Sequence, residues 1–494
     1  MASTERLLPF FWGRLPIFDF VVQTAAQQAP TAKQGALGKR SGPVVWQPHA
    51  IFRALLLLPV IVACSSANAP AVGPAAMGGA KWLSYQYGAA NNAVVPGPRT
   101  GVSWHTTLGG KVNGGLSYGD GRIYVDSFDR HLYALNAKTG RVEWSAPLGG
   151  VAMNTPVLAD GVVVVGTGTN RVMIDTPNQV LWGRPGGDNV LAFNAMTGAP
   201  LWRYHTVGED MPSAAIVIRA HKHPEVVFSN GDGFVRSLDL ITGKRIWKSY
   251  LNGVATMSSL ESYKGKLFGI ENFSIGFIFA NINNPLRLRY ATKAWEMQSR
   301  NGQLVWTIPY GNSDCSPTVA NGTMFFQSSK LVYPISSGNT LSYSIVYAVD
   351  IATGRVLWRA RSGSGERDDK GSNENAIAGM YHNHTYFTGL PFEKTVAAFN
   401  ASTGKLRWKI STQGAVKMSP LAIRKRLLFG DTDGYFYVVS ARDGRLIKKL
   451  KFPKFFTTSP PIAIGMTIYI ANDKQIYAIP LRNLLEKSIR LRIP

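Results

Sequence analysis

Tyr133-Ala134-Leu135-Asn136-Ala137-Lys138-Thr139-Gly140, followed by Trp144, decides the fold of this chain. Alternating apolar residues predict a strand. Asn136 then bonds the backbone two residues on, and Gly140 supplies a positive φ, so the chain turns into a hairpin. Trp144 on the outgoing strand packs against the neighbouring unit and buries a large area. The unit returns at Leu191 to Gly198 before Trp202, at Ser237 to Gly243 before Trp247, and at Asn301-Gly302 before Trp306. It recurs at Ala348 to Gly354 before Trp358 and at Ala398 to Gly404 before Trp408, while Ser440 to Gly444 lacks its Trp.

A second hairpin precedes each unit, as in Thr155 to Gly166, and two hairpins make a four-stranded blade. Trp104 has no complete blade before it, and Pro460 to Pro480 leaves room for one more set of strands. Pairing the Trp104 strand with that last segment removes the open edges of a linear array. The expectation is an all-β, eight-bladed β-propeller over residues 82–482, its ring closed by the N-terminal strand. A basic tail, 483–494, follows.

Another short segment recurs with the blades. It reads Asn312-Ser313-Asp314-Cys315-Ser316-Pro317, and again Met153-Asn154-Thr155-Pro156, Met211-Pro212-Ser213-Ala214, Thr256-Met257-Ser258-Ser259, Lys417-Met418-Ser419-Pro420 and Thr457-Thr458-Ser459-Pro460. Looser copies start at Asn113 and Asn375. Each opens an apolar strand, so a closed ring brings all of them to one mouth of the central channel. In ring order the residue two places before the Ser or Thr is Asn113, Met153, Met211, Thr256, Asp314, Asn375, Lys417 and Thr457. Asp314 is the one acid of that row and Lys417 the one base, which makes them the candidates for chemistry.

The balance of 53 Lys and Arg against 29 Asp and Glu is strongly basic. The basic residues are scattered, and the densest runs, Arg424 to Arg426 and Lys448 to Lys451, form no recognised nucleic-acid-binding motif, so no nucleic-acid partner is expected. A basic channel suits a small anionic substrate. Few carboxylates also suit life in acid, where native carboxylates that must take up protons cost stability. The two cysteines, Cys64 and Cys315, provide no disulfide framework. Residues 1–43 carry no periodic signal. Arg53, the apolar run Leu55 to Ala63, and Cys64 describe an export signal too short to span a bilayer. Residues 65–81, rich in Ala, Gly, Pro and Ser, read as a flexible tether.

Ile61-Val62-Ala63-Cys64 resembles the bacterial lipoprotein signal, which implies lipidation at Cys64, export to the periplasm or outer membrane, and membrane contact only through that anchor. The Asn/Asp-x-x-Thr-Gly-x-x-x-Trp unit resembles the tryptophan-docking repeat of the quinoprotein-like eight-bladed propellers, over residues 82–480. Three branches of that superfamily come into question. Gly166 to Asn170 and Gly187 to Asn189 resemble the quinone-dependent alcohol dehydrogenases. Their vicinal cysteine pair and calcium-binding Glu have no counterpart here, which leaves pyrroloquinoline quinone and calcium as alternative cofactors only. The propeller lipoprotein of outer-membrane β-barrel assembly shares the signal and blade number, but not the long insertions at 169–187, 271–296, 328–343 and 361–374. Size, basic balance, insertions and the lone channel-mouth aspartate resemble the tetrathionate hydrolases.

That last resemblance implies hydrolysis of tetrathionate without quinone or metal. Asp314 is then the acid or base, and Lys417, Asn113, Asn154 and Asn375 hold sulfonate oxygens. Met153, Met211, Met257 and Met418 would line an apolar wall. Cys315 is an alternative nucleophile, though alternation turns it from the face Asp314 uses and favours an inert buried thiol. His382 and His384 lack a third ligand for a metal. A homodimer is left open.

Overall fold

The structure, a computed structural model, describes residues 81–168, 189–206, 214–218, 223–251, 253–254, 258–271, 273–274, 293–310, 313, 315–332, 341–366 and 377–486. Eight antiparallel sheets form the blades of a propeller, and a two-stranded ribbon, Gly253–Val254 with Phe273–Ser274, accompanies them. Blade 1 shows the common plan, with an inner strand Ser117–Gly119, a second Arg122–Ser127, a third His131–Asn136 and an outer Val142–Pro147. The other inner strands are Val157–Ala159, Ala215–Val217, Glu261–Tyr263, Thr318–Ala320, Met380–His382, Leu421–Ile423 and Ile462–Ile464, for blades 2 to 8.

The ring closes as the sequence predicts. Trp104–Thr107 is the outer strand of blade 8, antiparallel to Gln475–Pro480 with Trp104 opposite Ala478. A further N-terminal pair, Val94–Val95, runs parallel to the inner strand of that blade.

The turn unit works as its residues dictate. Asn136 Oδ1 accepts from the backbone N–H of Lys138 and Thr139, and Gly140 sits at φ +75°. The Trp104 ring lies on that glycine so closely that a Cβ would come within 2.5 Å of it, so both the turn and the docking require Gly140. Seven docking tryptophans, Trp104, Trp144, Trp202, Trp247, Trp306, Trp358 and Trp408, each donate Nε1–H to a carbonyl of the next blade's turn at 2.8–3.2 Å. Blade 7 has Lys448 where the eighth would stand. Blade 8 there carries a short helix, Leu481–Leu485, in place of the turn, and Lys448 Nζ donates to the carbonyls of Asn483 and Glu486 at 2.7 and 2.8 Å. A cation suits the carbonyl end of a helix, which explains the exchange.

Second and outer strands both end on the face where the inner strands begin. The chain therefore leaves blades 2, 4 and 5 for the stretches after Gly168, Ser274, Val332 and Glu366 on that face. Part of the 328–343 insertion is regular structure, since Thr323–Val332 and Leu341–Asp350 pair along their whole length.

Candidate functional site at one mouth of the channel

The recurring Ser/Thr segments stitch neighbouring blades together. Ser258 Oγ donates to the Cys315 carbonyl at 2.8 Å and Ser316 Oγ accepts from the Ser259 N–H at 2.9 Å. Ser419 Oγ donates to the Ala378 carbonyl at 2.6 Å, and Thr457 and Thr458 donate to the carbonyls of Val112 and Asn113. A hydroxyl of fixed reach thus satisfies a backbone carbonyl or N–H between two blades, which is why the repeat keeps it.

The residue four places before each inner strand behaves differently. Asn113, Met153, Lys417 and Thr458 are each half-buried, and each stands between two buried neighbours. This row faces the channel. For blade 8 the register gives Thr458 in place of Thr457, which is buried, and for blades 4 and 6 the same count gives Met257 and Ala376 in place of Thr256 and Asn375. Asp314 and Asn375 lie outside the described residues, as do Met211, Thr256, Met257 and Cys64. Ser313 and Cys315, on either side of Asp314 in sequence, are buried, as are the flanking residues of the other blades.

Within the row, Asn113 Oδ1 has no hydrogen-bond partner among the described residues. Asn154, expected at the substrate, is turned away from it. It is 2% exposed, and its amide is committed to the Gly166 backbone, with Nδ2 donating to the carbonyl at 2.6 Å and Oδ1 accepting at 3.3 Å. Its own N–H donates to Asp126 Oδ2 at 3.0 Å. Sitting one residue beyond the row, it points between strands instead of into the channel. Met418, expected on an apolar channel wall, is likewise fully buried, with Sδ accepting from the Gly430 N–H.

Cys315 is fully buried in a cluster with Phe268, Ile270, Tyr310 and Phe326, and its thiol donates to the Ser316 carbonyl at 3.1 Å. Among the described residues no three His, Cys, Asp or Glu side chains gather to hold a metal. Asn154, the described candidate for a calcium ligand, is buried with its amide bonded to the Gly166 backbone. His382 bonds its neighbour Asn383.

Sequence reasoning missed the buried acids, and burial raises three of them, Glu261, Glu271 and Asp126. Glu261 opens the inner strand of blade 4, and Glu271 follows that blade's second strand, its carbonyl accepting from Tyr310 Oη at 2.5 Å. Both are fully buried, and burial pushes each carboxyl up to about 8; the Ser84 hydroxyl opposes this at Glu261 and Lys293 at Glu271. Asp126, also fully buried, is raised by burial against the N–H of Asn154. They are isolated acids in or next to otherwise regular strands, and no spacing marks them.

Also missed was the segment from Trp82 to Val95, a strap that follows the inner strands of six blades in ring order. Trp82 and Leu158 exchange both backbone hydrogen bonds, and Ile216 N–H donates to the Leu83 carbonyl. Val319, Tyr381 and Ala463 donate to the carbonyls of Ala89, Ala90 and Ala93, and the Asn92 side chain brackets Ala422 from both sides. All six partners are the middle residue of an inner strand, in blades 2, 3, 5, 6, 7 and 8. The strap lies at one level, five residues and at most about 16 Å below the row.

Known proteins agree with this architecture. Residues 94–274 and 342–483 match the family model described as outer membrane protein assembly factor BamB. The chain is similar to the tetrathionate hydrolase of Acidithiobacillus ferrooxidans, with 27% identity over 85% of this chain and 90% of that one. It is similar to outer membrane protein assembly factor BamB of Yersinia pestis, with 23% identity over 76% of each. Among solved structures, the quinohemoprotein alcohol dehydrogenase of Comamonas testosteroni shares the fold at 12% identity, with a TM-score of 0.57 over 84% of this chain and 81% of that one. The repeats, the closed ring of eight blades and the matched residues lead to one conclusion: this chain belongs to the PQQ-repeat propeller family described as outer membrane protein assembly factor BamB.

Proposed function

We propose that the chain is an exported hydrolase that cleaves tetrathionate in acid, with one water, to thiosulfate, sulfur and sulfate. The observation that carries this reading is the half-buried row above the strap, with Lys417 in it and Asp314 at the same count before its strand. Likeness to a tetrathionate hydrolase along 90% of that protein adds to it. Lys417 and Asn113 meet the substrate, and Asn375 is a further contact. Lys417 attracts a sulfonate group as a point charge. Asp314 takes a proton from the attacking water or gives one to the departing sulfur. No quinone, calcium or other metal enters the reaction. Export rests on Arg53 to Ala63, with Cys64 as the lipidated residue.

Turnover of tetrathionate by the purified protein at acid pH, without added quinone, tests the reading. Asp314→Asn should lower it by at least about 10²-fold, with the β-sheet circular dichroism unchanged. Cys315→Ala should keep most of the activity, because the thiol is buried. A dead Cys315→Ala beside a working Asp314→Asn would reverse the assignment. The family match favours a second reading, a scaffold for outer-membrane β-barrel assembly. An inert protein that co-purifies with an outer-membrane β-barrel would establish that one instead.

A further inference from the structure

The face opposite the row carries an uneven charge. Inner strands end there and outer strands begin there, so a blade presents two turns on it. In blades 6 and 7 these turns are Asn383-His384, Ala401 to Lys405, Arg424-Lys425 and Ala441 to Arg445. Hydrogen bonds join the four into one surface. The His384 carbonyl accepts from the Ala401 N–H at 3.1 Å and from the Arg407 guanidinium at 3.3 Å. Trp408 Nε1 donates to the Ala441 carbonyl at 3.2 Å, and the Ala441 N–H donates to the Lys425 carbonyl at 3.0 Å. Lys405, Arg407, Arg424, Lys425, Arg442 and Arg445, scattered in sequence, are thus neighbours on this surface, and all six are exposed. Asp443 is the one acid in the four turns. None of the six cations forms an ion pair among the described residues.

Six cations without counter-charges repel one another and attract an anionic partner. Two further features say which kind. Leu406 and Leu446, the first residues of the two outer strands, are 48% and 51% exposed beside Arg407 and Arg445. Cations with exposed leucines among them match a surface that is anionic outside and apolar beneath. The turns also present no Phe, Tyr or Trp on which a nucleic-acid base could stack. In acid, moreover, phosphodiesters keep their charge while the carboxylates of an acidic protein take up protons.

We propose that this face of blades 6 and 7 docks on an anionic phospholipid surface. The six cations meet headgroup phosphates, and Leu406 and Leu446 reach the edge of the acyl region. The row at the opposite end of the channel then looks away from the membrane. This docking is independent of whether the channel hydrolyses a substrate or the propeller serves as a scaffold. It also agrees with a lipid at Cys64, because residues 65–81 would hold the propeller within about 60 Å of that membrane.

The full chain carrying Cys64→Ser cannot be lipidated and is the protein to test. It is sedimented with vesicles of phosphatidylglycerol or of phosphatidylcholine at about pH 4 and low salt. The apolar run Leu55 to Ala63 adds equally to both. Affinity for the anionic vesicles should be at least about tenfold higher and should fall as salt rises. A Lys or Arg near such a surface is worth about a factor of five. Arg424→Ser, Lys425→Ser, Arg442→Ser and Arg445→Ser combined should therefore weaken anionic binding by roughly 10²-fold or more. Lys138→Ser, Arg141→Ser, Lys244→Ser and Arg245→Ser remove as many cations from the same face in blades 1 and 3, and should leave it as before. Circular dichroism checks that both variants fold. Should the first lose its β-sheet signal, the single changes Lys425→Ser and Arg442→Ser, each expected to cost about fivefold, decide in its place. Equal losses in blades 6–7 and blades 1–3 would reduce the effect to net charge and overturn the proposal. So would equal affinity for the two kinds of vesicle. Binding of duplex DNA without binding of phosphatidylglycerol would assign the face to nucleic acid and overturn it too.

Discussion

Raising the pH from about 4 to about 8 should weaken this fold, the reverse of what most carboxylates do. Glu261 shows why. It is fully buried, its field includes no cation, and its carboxyl stands at about 8 instead of 4.5. A folded value above the unfolded one means that the folded protein keeps a proton that the unfolded chain releases. Below about pH 4.5 both states hold it and nothing is lost. Above that, stability falls by about 1.4 kcal/mol per pH unit until the folded acid ionises too. At pH 7 this amounts to about 3 kcal/mol for Glu261, and a comparable figure applies to Glu271. Asp350 and Asp443 have lowered values, from the Thr353 and Ser440 hydrogen bonds respectively, and favour folding only above their unfolded range, so they set the acid limit. The maximum should lie near about pH 4. Glu261→Gln preserves shape but cannot ionise. It should match wild type at pH 4 and exceed it at pH 7 by several degrees in melting temperature. Thermal melts of both proteins at both pH values decide it. A wild type equally stable at 4 and 7, or a Gln variant with no gain at 7, would refute the reasoning.

Other expectations follow from single contacts. Lys417→Ala should raise KM for tetrathionate more than it lowers kcat, because a charge clamp acts on ground and transition states alike; steady-state kinetics at low salt would show it. Asn154→Ala should leave KM unchanged but cost about 1–3 kcal/mol in denaturant unfolding, since the Gly166 backbone loses its partners. Trp104→Ala should cost about 3–5 kcal/mol and raise amide exchange first in blades 8 and 1, the pair it joins.

The fold was legible because its unit is local. Asn136, Gly140 and Trp144 sit within one hairpin, and their spacing recurs in most of the repeats. The closure through Trp104 was legible as well, because a docking residue without a blade before it needs one. The site was legible only as a count along the sequence. That count reached the half-buried positions Asn113, Met153 and Lys417, and fell one residue short at Thr457, Thr256 and Asn375, which stand five places before their strands. Asn154 looked like a ligand because its amide suits an anion, and no pattern revealed that Gly166 already held it. The strap was invisible for a physical reason. Trp82 to Val95 has no period of its own, since each residue answers to a different blade. Lys448 read as surface charge, because the helix end it meets lies 35 residues away.

Closure by the N-terminal strand has a kinetic side. Trp104 to Thr107 leaves the ribosome early but pairs with Gln475 to Pro480, and the strap likewise waits for inner strands made later. Until blade 8 is synthesised, the nascent protein is an arc with two unpaired edges. Loop-closure entropy rises only slowly with length, so the wait lowers the final stability little. It lengthens the interval in which an exposed edge could join a second chain. Refolding yield should therefore fall with protein concentration far more steeply for the intact chain than for a circular permutant whose ends lie between two blades, so that every sheet is complete in sequence.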